Sequence, residues 1–224
     1  MTTGVRANDT PLSFEVYPPR DLAAAGSLVT TIKELAAVDP QFISVTFGAG
    51  GADRRGSLDV LRFIKDHTHV EALAHLTCVG NSHAEAAAIV REFLEAGITS
   101  FLALRGDAPT GEEHVSDFMG DIKSASELVQ LIANVQSERV PWTESHAPGT
   151  ARGRILDPTP GRVTIAVAAF PNGHPESGST RRDIDSLLAK QAAGADFAIT
   201  QLFFHADDYF RFVEKSAAAG VEIP

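Results

Sequence analysis

Residues 82–107 read SHAEAAAIVREFLEAGITSFLALRGD, and this stretch decides the fold. Ser82 with Glu85 three residues on is a capping-box start for a helix over Ser82–Ala96. Ala96-Gly97 then stops that helix, because glycine takes the left-handed C′ position without strain. Ser100–Arg105 follows as a strand-length apolar run, with Asp107 just past its end. Helix, glycine stop and strand in succession make one turn of an alternating α/β chain.

The same unit recurs on both sides. Strand-length runs occur at Ser13–Tyr17, Phe42–Phe47, Glu71–Cys78, Val163–Phe170 and Phe197–Phe204. Helical periodicity occupies Ser27–Val38, Ser57–His67, Ser126–Gln136 and Asp183–Ala193. Ala193-Gly194 and Ala219-Gly220 repeat the helix stop. The first four strand starts are spaced by about 29 residues, a βα repeat period, which predicts a parallel sheet. Gly106–Asp121 is a long loop, and residues 140–161, rich in Pro, Gly, Thr and Arg, are expected to form an exposed insertion within a single domain over 1–224.

Composition narrows the function classes. With 44% hydrophobic and 21% charged residues the 224-residue chain can bury a core, which excludes wholesale disorder. No apolar run approaches the roughly 18 residues of a membrane helix. Residues 1–11 are polar, are expected to be flexible and lack a signal-peptide layout. The single cysteine, Cys78, rules out an internal disulfide and points to the cytoplasm. A net charge of −10 argues against general nucleic-acid binding, yet a few local cations suffice for an anionic small ligand. His67 and His69 lack companions at ligand spacing, so no metal site is expected.

Strand alternation brings out the polar positions. Glu15, Thr46, His75, Arg105, Asp107 and Gln201 come from five different strands, each near its C-terminal end. A (β/α)₈ barrel would gather them at one rim, where barrel enzymes keep their chemistry. A doubly wound sheet is the other candidate, but Tyr17-Pro18-Pro19-Arg20 stands where its glycine fingerprint would be. The barrel is preferred.

Six ordered blocks then resemble 5,10-methylenetetrahydrofolate reductase of the bacterial type. They are Ser13–Arg20, Ser44–Gly51, His75–Cys78, Ala103–Asp107, Ala168–Pro171 with His174–Glu176, and Ala192–Asp196 leading to Thr200–Phe204. The resemblance implies a TIM barrel in which NADH or NADPH reduces FAD and the flavin passes a hydride to methylenetetrahydrofolate. It implies a cytoplasmic role in one-carbon metabolism and methionine biosynthesis. Glu15 matches the general acid and Asp107 the second catalytic carboxylate, placed between flavin and pterin. Glu15, Asp107 and Gln201 match substrate contacts. Flavin contacts carry over to Thr46, Phe47, Ala49, His75, Arg105, Gly106, Asp107, Ala125, Phe170, His174, Asp183 and Lys190. A carboxyl shielded inside a barrel has a raised pKa and can stay protonated, which suits Glu15 as acid. Plainer roles stand beside these: a hydrogen-bonded lining residue for Glu15, a turn residue for Asp107, a rim salt bridge for Arg105, a solvated helix charge for Lys190.

Four positions depart from the pattern. Phe47 and Phe170 replace a common tyrosine, and Ser186 and Ala189 stand where the pattern has Asn and Arg. The lost arginine removes a candidate cation for the flavin's phosphates. The strand count is also short: six βα units are present, with strands seven and eight missing. An unclosed sheet would expose edges, making a homo-oligomer one expectation. A flavin- or partner-binding remnant without turnover, or a non-flavin barrel lyase using Glu15, are the alternative functions.

Overall fold

The computed structural model describes residues 11–47, 51–77, 80–106, 120–139, 162–175 and 177–224. Among these residues six strands alternate with six helices: β1 (Ser13–Val16), α1 (Leu22–Ala36), β2 (Phe42–Val45), α2 (Gly51–His67), β3 (Glu71–Thr77), α3 (His83–Glu95), β4 (Ser100–Leu104), α4 (Ala125–Arg139), β5 (Thr164–Ala169), α5 (Thr180–Ala192), β6 (Phe197–Thr200) and α6 (Ala206–Ala218). This is the α/β architecture that the repeat predicts. Two further strands, needed to close a barrel, are not among the described residues. The chain forms two compact units, Met1–His75 and Leu76–Pro224.

In the first unit β1 pairs in parallel with β2, and β2 with β3. All four residues of β2 are buried, as a parallel strand covered on both faces requires. Its core is built on Ile32, Ile43, Val45, Leu61, Ile64 and Leu73. Ser57 Oγ donates to the Thr46 carbonyl at 2.8 Å and ties α2 to the end of β2.

In the second unit β4, β5 and β6 are parallel neighbours. Phe93 of α3 packs on Phe101 of β4 with ring centroids 6.5 Å apart. Ile132, Ile165 and Val167 are fully enclosed. The capping box at Ser82 and Glu85 is present in full, as the opening stretch predicts. Asp196 closes the strand starts: its carboxylate accepts from Arg162 Nη2 at 2.6 Å and from the Ile165 N–H at 2.8 Å.

Three boundaries differ from expectation by four residues or more. α1 begins at Leu22, capped by Asp21, whose carboxylate accepts the Ala24 N–H at 2.8 Å. α2 begins at Gly51. β6 ends at Thr200, and not at Phe204, because the chain turns away after the Gln201 N–H bonds the Ala169 carbonyl. Leu202 and Phe204 are consequently exposed, while Phe203 stacks on Tyr209 of α6. The sixth helix lies between this turn and the Ala219-Gly220 stop. The Ala198 N–H donates to the Pro224 carbonyl at 2.8 Å, which sets the last residues beside β6.

Candidate active site

The predicted residues that the structure describes fall into two groups, one per unit. In the first unit Thr46 and Phe47 follow β2 and are half-buried. Register places Glu15 level with Ser44 and Leu73, so Glu15 and His75 project from the same face of the sheet, two strands apart. Their side chains approach to 3.7 Å between Glu15 Oε2 and His75 Nε2. The two environments differ sharply. The Glu15 side chain is 47% exposed, so the expected shielding of this carboxyl is not supplied by its own unit, where β1 pairs with β2 alone among the described residues. His75 is buried, and its Nε2 has no hydrogen-bond partner among the described residues. Burial lowers its pKa to about 4, which leaves the imidazole neutral at pH 7.

The second unit contains a cleft of about 780 Å³ beyond the C-terminal ends of β4 and β5. Arg105, Gly106, Ala125, Phe170, His174, Asp183, Lys190 and Gln201 all line it. Each element delivers its residue for a local reason. Gly106 and Gly173 take positive φ, near 86° in both, which bends the chain out of the strand ends. Ala125 opens α4. Phe170 and His174 meet edge to face with centroids 4.6 Å apart, which folds the 170–175 turn over the cleft.

The charged pair on α5 is the electrostatic centre. Lys190 and Asp183 are seven residues apart, on the helix face that also buries Ile184 and Leu187. Lys190 is therefore buried, not a solvated helix charge, and its Nζ donates to the Ala168 carbonyl at 2.9 Å. Burial lowers the lysine's pKa, Asp183 opposes this, and the Arg105 guanidinium adds to it. Asp183 also accepts the His174 N–H at 3.3 Å, so one carboxylate fixes the loop and supports the ammonium.

Alternation alone misplaces Arg105. Register along β4 and β5 puts Phe101 and Ala103 on the face that meets α3, whereas Leu104, Ala168 and Ile199 share the other. Strict continuation would send Arg105 to the helix side. β4 ends at Leu104, which frees Arg105 to line the cleft, with its Nε donating to the Gly106 carbonyl at 3.4 Å. Ser186 lines the cleft, but Ala189 does not and is exposed. Arg182 and Ser177 also line it and were not among the sequence candidates; Arg182 sits one helical turn before Ser186, a spacing visible in the sequence. Ala49, Cys78, Asp107, Trp142 and the 140–161 insertion lie outside the described residues. No helix among the described residues is long and apolar enough to cross a membrane.

A cleft beyond the C-terminal ends of parallel strands, with cations and an aromatic turn around it, is where parallel α/β folds place their ligand sites. The family model of methylenetetrahydrofolate reductase matches residues 1–224, and the chain belongs to that family. It is 34% identical over 212 residues to 5,10-methylenetetrahydrofolate reductase of Escherichia coli K12, covering 95% of this chain and 61% of that protein. The Salmonella typhimurium LT2 reductase is 32% identical over 216 residues with the same coverage. The chain thus spans about 61% of the length of these curated relatives. Among solved structures, phosphonopyruvate hydrolase in complex with oxalate and Mg²⁺ superposes with a TM-score of 0.60 at 10% identity, over 97% of this chain and 66% of that one. That likeness concerns the fold alone.

Proposed function

We propose that this chain carries the flavin-binding part of a reductase that converts 5,10-methylenetetrahydrofolate to 5-methyltetrahydrofolate with NADH or NADPH as donor. One observation carries the proposal. Arg105, Gly106, Ala125, Phe170, His174, Asp183 and Lys190, assigned to flavin by family resemblance, converge on a single cleft. The donor set also suits the ligand. Two cations, a glycine-bent backbone and an aromatic turn match an anionic cofactor that carries a flat ring.

FAD, when bound, would supply hydride transfer between nicotinamide and folate. Lys190 and Arg105 would meet the anionic part of the cofactor. Gln201, at the end of β6, would offer an amide donor and acceptor to the pterin or nicotinamide edge. Asp107 would anchor the amino-pterin edge. Glu15 would give its proton to a folate nitrogen, opening the methylene bridge to an iminium that can accept the hydride. Because Glu15 is half exposed, the bound pterin itself would have to exclude water around it.

The test is direct. The purified chain is expected to show a flavin absorption spectrum and to oxidise NADH faster when the folate substrate is added. A protein that neither carries nor takes up FAD, and has no NADH-dependent activity, would refute the proposal. Glu15→Gln is expected to abolish folate reduction while sparing flavin reduction by NADH. Loss of both half-reactions in a folded variant would exclude the specific acid role.

A further inference from the structure

Arg105, Lys190 and Arg182 bring guanidinium and ammonium groups to the cleft wall, whereas Ala189 lies off the cleft and is exposed. α5 carries Arg182, Ser186 and Lys190 at intervals of four residues, and all three line the cleft. Helical rise sets the first and last of them ~12 Å apart along the axis, longer than a single phosphate group. The stripe is therefore matched to an extended anion, with the buried Lys190 at its inner end and the exposed Arg182 at its outer end. Arg182 is held in place: its Nη1 donates to the Ser177 carbonyl at 3.4 Å, and its N–H to the Ser179 Oγ cap at 3.3 Å. Small Ser186 between the two cations leaves room for a ligand to lie along the helix. The neighbouring Arg181 points elsewhere. Its side chain is 91% exposed, it faces Asp185 at 4.0 Å, and it does not line the cleft.

We propose that Arg182 binds the outer, nucleotide-bearing end of the cofactor, so that this residue sets the preference of the cleft for a dinucleotide flavin over a mononucleotide one. A planar guanidinium suits this task because it can hold a phosphate through two parallel N–H donors. The inference rests on the flavin assignment above, and the experiment separates the two.

FAD and FMN are titrated into the full 224-residue chain, freed of any bound flavin, as wild type, Arg182→Gln and Arg181→Gln. Wild type is expected to bind FAD more tightly than FMN. Arg182→Gln is expected to weaken FAD about tenfold, to leave FMN within about twofold, and to flatten the salt dependence of FAD binding. Arg181→Gln is expected to match wild type for both ligands. An unchanged FAD affinity in Arg182→Gln, or an equal loss for FAD and FMN, overturns the role of Arg182 while leaving the cleft a flavin site. A wild type that binds neither flavin overturns the assignment of the cleft itself. Since Arg182 is exposed, a thermal melt that matches wild type confirms that the variant is folded.

Discussion

Replacing Lys190 with methionine should separate binding from folding. The substitution keeps chain length and volume and removes one ammonium from a buried position. On the binding side, a charge-assisted contact to an anionic ligand is lost, worth about 1.5–3 kcal/mol, or roughly a 10- to 150-fold weaker flavin affinity. On the folding side the terms oppose one another. The Ala168 carbonyl loses its 2.9 Å donor, costing about 1 kcal/mol, and Asp183 loses a neighbouring cation but keeps the His174 N–H. In return, no ammonium has to be desolvated, a burden that already depresses the lysine's pKa. The net change in stability should lie within about 1 kcal/mol, or roughly 2–4 °C in Tm for a chain of this size. The pH dependence has a definite sign. The folded-state pKa lies below the ordinary 10.5, so below that pH the unfolded chain holds more protons and ligand-free stability rises with pH. Flavin affinity moves the opposite way, because the anion needs the charged lysine, and falls as pH climbs toward 10.5. Lys190→Met should show neither slope. Fluorescence titration and thermal melts across pH 7 to 10 give both quantities. A melting point lowered by about 10 °C with unchanged flavin affinity would refute the argument and make Lys190 a structural strut.

Two further predictions concern the scaffold. The depressed pKa of His75, about 4, means that between pH 6.5 and 4 the unfolded chain binds the extra proton and stability falls with pH, by about 3 kcal/mol in all. His75→Gln should remove that acid-side loss, measured as urea midpoints at pH 7.5 and 4.5; an identical pH dependence in wild type and variant would show that burial of His75 is not its source. Gly120 packs where a Cβ would overlap the Asn81 carbonyl, beside the Asp121 contacts to Asn81 and to the His83 N–H at the start of α3. Gly120→Ala should cost about 2–3 kcal/mol, seen as a melting point lowered by several degrees, and an unchanged melt would contradict the close approach.

Much of the architecture is local, and therefore legible in the residues. Ser82 and Glu85 cap α3 through side chains three positions apart, and Ala-Gly pairs end helices because only glycine enters the left-handed region freely. The starts of α1 and α2 are not marked by periodicity, because residues 22–26 and 51–56 are rich in Ala and Gly and carry few spaced apolar side chains. The end of β6 is obscured for the opposite reason. Leu202, Phe203 and Phe204 are apolar enough for a strand, but the bond from Gln201 to Ala169 is the last that the neighbouring strand offers.

The site divides along the same line. Its residue types and their places at strand ends were readable, because side-chain alternation and motif spacing are properties of the chain alone. The burial of Lys190 was signalled by its position three residues after Leu187 on the apolar stripe of α5, yet Lys190 was also readable as a solvated charge until the helix was packed. The escape of Arg105 from strict alternation and the approach of Glu15 to His75 belong to tertiary structure. Each depends on where a strand stops or how two strands stand in register, and both are decided by hydrogen bonds between segments about thirty or more residues apart. Sequence determined which groups this protein brings to its strand ends; packing decided which of them are buried, which are neutral, and which face the same cleft.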